Sequence, residues 1–241
     1  MTEPTALAAA PEQASLVEDF VDILFAPSKV FARRAGGAWA SYFIVAALLG
    51  VLYFVNTGAM QGIMDAEVNR AIAKAMEANP SLTDDQAMGM RSMMEASIKW
   101  GALVILPIAL LLLGLSVMLV GKVLGGTIGF GMGVMIASYA YVPRVIEGMG
   151  VAVQALLLDT STFAGRYSFT LGVGRFLDSS GKQGLYNLLG RVDLITIWVT
   201  ILVAIGLVHA AKVPKDKAII GAVVLWVLGA LPALWQLATG A

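Results

Sequence analysis

Four stretches of this chain are free of Asp, Glu, Lys and Arg, and they decide what it can fold into. They run from about Ala38 to Gly58, Gly101 to Gly121, Leu194 to Ala211 and Ala218 to Ala238. A bilayer core of ~30 Å is crossed by ~20 apolar helical residues, so each stretch is a candidate transmembrane helix. Composition agrees: 59% of the 241 residues are hydrophobic and 13% are charged, against about a quarter charged in ordinary globular domains. A soluble fold of this size would need more polar surface, and disorder would need low hydrophobicity and high net charge. Sixteen basic and sixteen acidic residues cancel, so no basic excess points to nucleic acid. With no cysteine and one histidine, thiol chemistry, disulfides and multi-histidine metal sites are absent, and no cofactor is expected.

A fifth apolar stretch, Thr127 to Leu158, is too long for one span and too short for two, and it contains Pro143, Arg144 and Glu147. It reads as one tilted or kinked span over about 128–149 followed by a short interfacial turn. The expected fold class is therefore all-α: a polytopic membrane bundle of five transmembrane helices. No secretory signal is visible, because the first apolar stretch follows an acidic segment of some length, so the first span is expected to be retained. Lys/Arg density in short flanks sets orientation. Lys29, Arg33 and Arg34 precede the first span, Lys122 follows the second, and Lys212, Lys215 and Lys217 crowd the link before the last. These places share one side of a five-span chain, which puts the N-terminus in the cytoplasm.

Residues 1–14 are Ala/Pro/Glu-rich and expected to be disordered. Over 15–35, Ser15 and Glu18 form a capping-box pattern. Leu16, Phe20, Ile23 and Leu24 follow at helical spacing, with Glu18, Asp19 and Asp22 elsewhere on the wheel. This is a cytoplasmic amphipathic helix, lying on the membrane surface or packed on the protein's own cytoplasmic face. Residues 59–100 read as an outer helical hairpin. Met60, Met64, Val68, Ile72 and Met76 make one apolar row, Asn79-Pro80 stops it, and a capping box at Thr83–Gln86 starts the next. Seven of the twelve methionines lie between Met60 and Met94. Such a surface packs on its own bundle or adapts to a partner or lipid. The second outer loop, 159–192, holds Phe163, Tyr167, Phe169 and Phe176, residues that anchor at membrane interfaces.

No catalytic signature is present: no nucleophile elbow, zinc-protease helix, phosphate loop or dinucleotide fingerprint. Gly125, Gly129, Gly133 and Ala137 fall four apart, a row of small residues that lets another helix approach closely. Gly125-Gly126 belongs to the turn, which leaves the later members on the third span. That contact can be within the subunit, between copies, or a ligand groove. Arg144 and Glu147 stand three apart on one helix face, a spacing that permits an ion pair. If the span starts near Ile128, Arg144 approaches the outer boundary. If it starts near Val134, Arg144 sits near the midplane and the pair becomes a candidate relay. Asp193 opens the fourth span as a helix N-cap, or pairs with Arg144.

Taken in order, FAPSKVFARR, the Gly-rich turn, SYAYVPRVIEG and VDLITIWVTILVAIGL make the chain resemble a Yip1-domain protein of the bacterial branch, over about Phe20 to Ala238. The resemblance implies five transmembrane helices and a cytoplasmic N-terminus. Eukaryotic members associate with Rab GTPases and carry an Asp-Leu-Tyr-Gly-Pro-type segment. This tail lacks it, which leaves Rab binding in doubt. The reading is a non-enzymatic protein of the bacterial inner membrane with an organisational or interaction role. Its partners are the lipid bilayer and other membrane proteins or further copies of itself. The alternatives are a small transporter or channel subunit using Arg144, Glu147 and Asp193, and an accessory subunit of a larger bioenergetic complex.

Overall fold

The computed structural model describes residues 14–158, 165–177 and 181–239. Residues 1–13 of the expected tail and parts of the loop 159–192, Phe163 among them, lie outside the described residues. The described residues are helical apart from short connections, two 3-10 turns at Arg166–Phe169 and Val173–Phe176, and one isolated bridge. The helices are α1 (Leu16–Phe25), α2 (Pro27–Arg33), α3 (Trp39–Ala59), α4 (Gln61–Ala78), α5 (Asp84–Val123), α6 (Phe130–Ala140), α7 (Val142–Leu157), α8 (Gln183–Leu189), α9 (Leu194–His209) and α10 (Lys215–Thr239). Three of them, α3, α5 and α10, are long and apolar enough to cross a membrane, and α9 is a shorter apolar helix. Their outward side chains are apolar: Phe43, Val51, Val104, Leu112, Ile220 and Val223 are all exposed. A water-facing bundle hides such residues, whereas hydrocarbon solvates them. The chain is an integral, multi-pass membrane protein.

Consecutive apolar elements alternate in direction. Tyr42 Oη donates to Pro107 O at 3.4 Å, and Tyr53 Oη donates to Ile98 O, so α3 and α5 run opposite ways. Gly206 sits against Ile136 while Thr196 bonds Arg144, which sets α9 against α6 and α7. Gly221 lies beside Leu124 and Gly229 beside Arg191, which turns α10 back along α9. Trp39, beside Gly131, thus marks one end of the bundle, and the start of α9 marks the other.

The stretch read as one tilted or kinked span at 128–149 consists of two helices, α6 and α7, meeting at Tyr141. Pro143 is the cause: it has no N–H to give to Tyr139 O, and its ring would collide with that carbonyl. It is instead tolerated in the first turn of α7. α7 then runs on to Leu157, where a short turn was expected. α5 is likewise one rod of 40 residues, about 60 Å long. It carries the second hairpin helix and the second apolar stretch together, so roughly half of it stands beyond the hydrocarbon with α4 against it.

α6 is the centre of the bundle: Gly133 through Ala140 are all buried. It reaches that position by a backbone contact with α5. A Cβ on Gly133 would meet Gly114 O at 2.3 Å, and one on Gly114 would meet Val134 Cα at 2.7 Å. Each glycine must be bare because the backbone of the facing helix fills the place of its side chain. Gly133→Ala is expected to cost about 1–3 kcal/mol by overpacking, and Gly133→Leu more. Gly129, the N-cap of α6, has nothing within 4 Å of its Cβ direction, so Gly129→Ala meets no clash and should cost only the weaker cap, about 0.5–1 kcal/mol. Thermal unfolding in detergent reads the order. Equal melting points for the two alanine variants would refute the close contact.

Candidate functional site

The polar residues inside the bundle converge where α7 meets α9. Arg144 is in the first turn of α7, placed there by the break at Tyr141. Its Nη1 donates to Glu147 Oε2 at 2.6 Å, one turn on, and its Nη2 donates to Thr196 Oγ1. Thr196 passes the bond on, donating its hydroxyl to Asp193 Oδ2 and its backbone N–H to Asp193 Oδ1 at 2.8 Å. Arg144 Nη1 also lies 3.7 Å from Asp193 Oδ1. Asp193 thus caps α9 and also faces Arg144, so the two alternatives open for it occur together. The free N–H groups at the start of α9 favour its charge. It is held by a short antiparallel contact in which Val173 N donates to Val192 O at 3.1 Å and Leu194 N to Leu171 O at 3.2 Å. Gly172 permits this approach, since a Cβ there would fall 2.5 Å from that of Asp193.

Arg144 lies 14 residues past the start of α6, about 21 Å along at helical rise. That places it between the middle of the bundle and the α8 end, level with the first turn of α9. The site's side chains are 29% exposed at Arg144, 16% at Glu147 and 2% at Asp193. One guanidinium thus serves two carboxylates, and the Thr196 hydroxyl spends its donor on one side and accepts on the other. Such an arrangement clamps two helices together. Among the described residues no group of three His, Cys, Asp or Glu side chains converges as metal ligands do.

The small-residue row divides. Gly125 has φ +85 and belongs to the turn, with nothing near its Cβ direction, and Gly129 caps α6 without a contact. Gly133 and Ala137 lie on α6 itself, the first against α5 and the second fully buried.

A second polar cluster was missed by the sequence reading. Asp19 is expected on a solvated face of α1, yet it is wholly buried. Arg33 Nε donates to its Oδ1 and Arg34 Nε to its Oδ2, each at 2.6 Å, and Tyr139 Oη donates to Oδ2 at 2.9 Å. Burial works against the Arg33 charge, but the hydrogen bonds and charges of Asp22 and Asp19 outweigh it and hold that guanidinium above its ordinary pKa. Phe20 and Phe31 close on the Tyr139 ring. The cluster seats α1 and α2 on the bundle, with Ile23, Val30 and Phe31 also fully buried. The readable signal was Asp19 at i, i+4 to Ile23, on the buried face rather than off it. The segment packs on the protein's own face through Asp19 and Ile23. A second apolar row, Val17, Val21 and Phe25, still points outward.

A family model described as Yip1 domain matches residues 21–236, nearly the whole chain. No curated protein and no solved structure matches it. The matched range contains Arg33, Arg34, Tyr139, Arg144, Glu147 and Asp193 but not Asp19.

Proposed function

This chain belongs to the Yip1-domain family, and from that premise we propose that it is a non-enzymatic membrane organiser. It presents fixed surfaces to lipid and to other membrane proteins or copies of itself. The observation that carries this reading is how its shielded charges are spent. Arg144 holds Glu147 and Thr196, and Asp19 holds Arg33, Arg34 and Tyr139. Both sets join helices to each other. The surface left for business is apolar or methionine-rich: Val17, Val21 and Phe25 on α1, and Met88 and Met93 on the projecting part of α5. Methionine suits surfaces that adapt to their partners.

The proposed placement is the bacterial inner membrane, crossed five times, with α6–α7 as the third crossing. The N-terminus is cytoplasmic and the α4–α5 hairpin is on the far side. The alternating helix directions and the Lys/Arg clusters at 29–34 and 212–217 support it. The cysteine-free chain suits single-cysteine labelling. Cysteines at exposed Lys29 and Asp216 are expected to resist an impermeant reagent in intact cells, and one at exposed Asp84 to react. Labelling at position 216 from outside would overturn the five-crossing path. For the role itself, a photo-crosslinking residue at Met88 or Met93 in native membranes is expected to capture a membrane protein or a second copy. An ion flux in proteoliposomes that depends on Arg144 would replace this reading with a transporter.

A further inference from the structure

Arg191 differs from four other arginines of this chain. Arg33, Arg34, Arg91 and Arg144 each hold a carboxylate. Arg191, in the turn before α9, makes no ion pair among the described residues. Its Nη2 reaches Trp226 O at 3.4 Å, and its Nε is shut off from solvent with no acceptor. A guanidinium is always charged and carries five donors in a fixed fork. Shielding it without a partner anion is costly, more so beside a membrane.

Arg191 faces a cavity of about 170 Å³ between α5, α7, α9 and α10. Arg144, Thr196, Thr200, Tyr141 and Trp226 share its wall. The volume equals that of about five or six waters. That is ample for a small oxyanion and too little for lipid tails. The cavity therefore shows a ligand two arginines, one of them with an unsatisfied donor; the Thr196 and Thr200 hydroxyls line it with their protons already given to Asp193 and to Thr196 O, and the Asp193 and Glu147 carboxylates are turned to Arg144 and do not line it. Arg191 stands just before the first apolar residue of α9, the level at which headgroups meet hydrocarbon.

We propose that this cavity binds a phosphate group through the Arg191 fork, with Arg144 as the second cation. The phosphate is that of an anionic phospholipid headgroup or a free phosphate ion. The site is separate from the organisational reading above, which needs no ligand.

The test uses full-length protein exchanged into a neutral detergent and read by thermal unfolding. Three additions are compared: phosphatidylglycerol, a diacylglycerol with the same tails, and inorganic phosphate. At a hundredfold excess over Kd, phosphatidylglycerol is expected to raise Tm by about 5 °C, and the diacylglycerol to leave it unchanged. An equal rise with inorganic phosphate identifies the free ion as sufficient; a rise with the lipid alone identifies the headgroup. Arg191→Gln should abolish the shift. Without any addition it should melt no lower than the wild type, because it removes an uncompensated cation. Arg191→Lys keeps the charge but loses the fork, and should shift by less than the wild type. No shift from either phosphate compound, or the same shift in Arg191→Gln, overturns the proposal. So does an Arg191→Gln variant equally destabilised with and without the lipid, which would make Arg191 a packing residue only.

Discussion

Asp19→Ala is expected to destabilise the detergent-purified protein by about 3–5 kcal/mol and to release α1 and α2 from the bundle. The reason is the one-sidedness of a broken buried pair. The Asp19 carboxylate accepts from Arg33, Arg34 and Tyr139 at once and has no exposure. Removing it leaves Arg33 with Asp22 alone and Arg34 with no carboxylate, only the Ala14 carbonyl, at 27% and 24% exposure, and leaves the Tyr139 hydroxyl beneath them without an acceptor. Tyr139→Phe removes one hydrogen bond of this set and should cost about 1–2 kcal/mol. Because Phe20 and Phe31 pack on the ring and not on the hydroxyl, the aromatic contacts survive. The readouts are thermal unfolding and the rate of limited proteolysis between Ser15 and Arg34. If Asp19→Ala melted with the wild type and its N-terminal segment stayed protected, the cluster would be decoration and the docking of α1 would rest on its apolar face alone.

Arg144→Met should be nearly as damaging, again about 3–5 kcal/mol, and its partners make the cause separable. The single variant leaves Glu147 unpaired at 16% exposure, while Asp193 keeps its bonds from the Thr196 backbone and hydroxyl. The unpaired group is thus mainly Glu147. Arg144→Met/Glu147→Gln is expected to recover much of the loss, since a missing pair costs less than a broken one. Arg144→Met/Asp193→Asn should recover less, because Asp193 still accepts from Thr196 while Glu147 is left unpaired. A structural clamp predicts this order in unfolding experiments and no other phenotype. If the Arg144→Met/Glu147→Gln double variant were well folded and yet abolished an ion flux, the pair would belong to a transport path.

Much of this protein is legible along the chain. Apolar length is a local property, so the membrane-long helices α3, α5 and α10 and the shorter apolar helix α9 could be read from residues alone. So could the capping boxes at Ser15 and Thr83, which involve neighbours three apart. The Arg144–Glu147 pair was visible for the same reason. The small-residue row was legible as a pattern but not as a contact. Four-residue spacing says that glycines line up, whereas only the crossing of α5 decided that Gly133 touches Gly114 and Gly129 touches nothing.

The tertiary structure decided what happens to charge. Thr196 joins Arg144 to Asp193 across 52 residues, and Tyr139 reaches Asp19 across 120; no periodicity carries information over such distances. A carboxylate on an amphipathic helix reads as solvated because burying it alone is prohibitive. Asp19 is buried all the same, because two arginines from the next helix and a tyrosine from the central one arrive together to hold it. Apolar length by itself determined that this chain lives in a membrane; which of its charges are buried, and against what, was settled only when distant helices met, because shielding a charge from water is costly unless a partner meets it there.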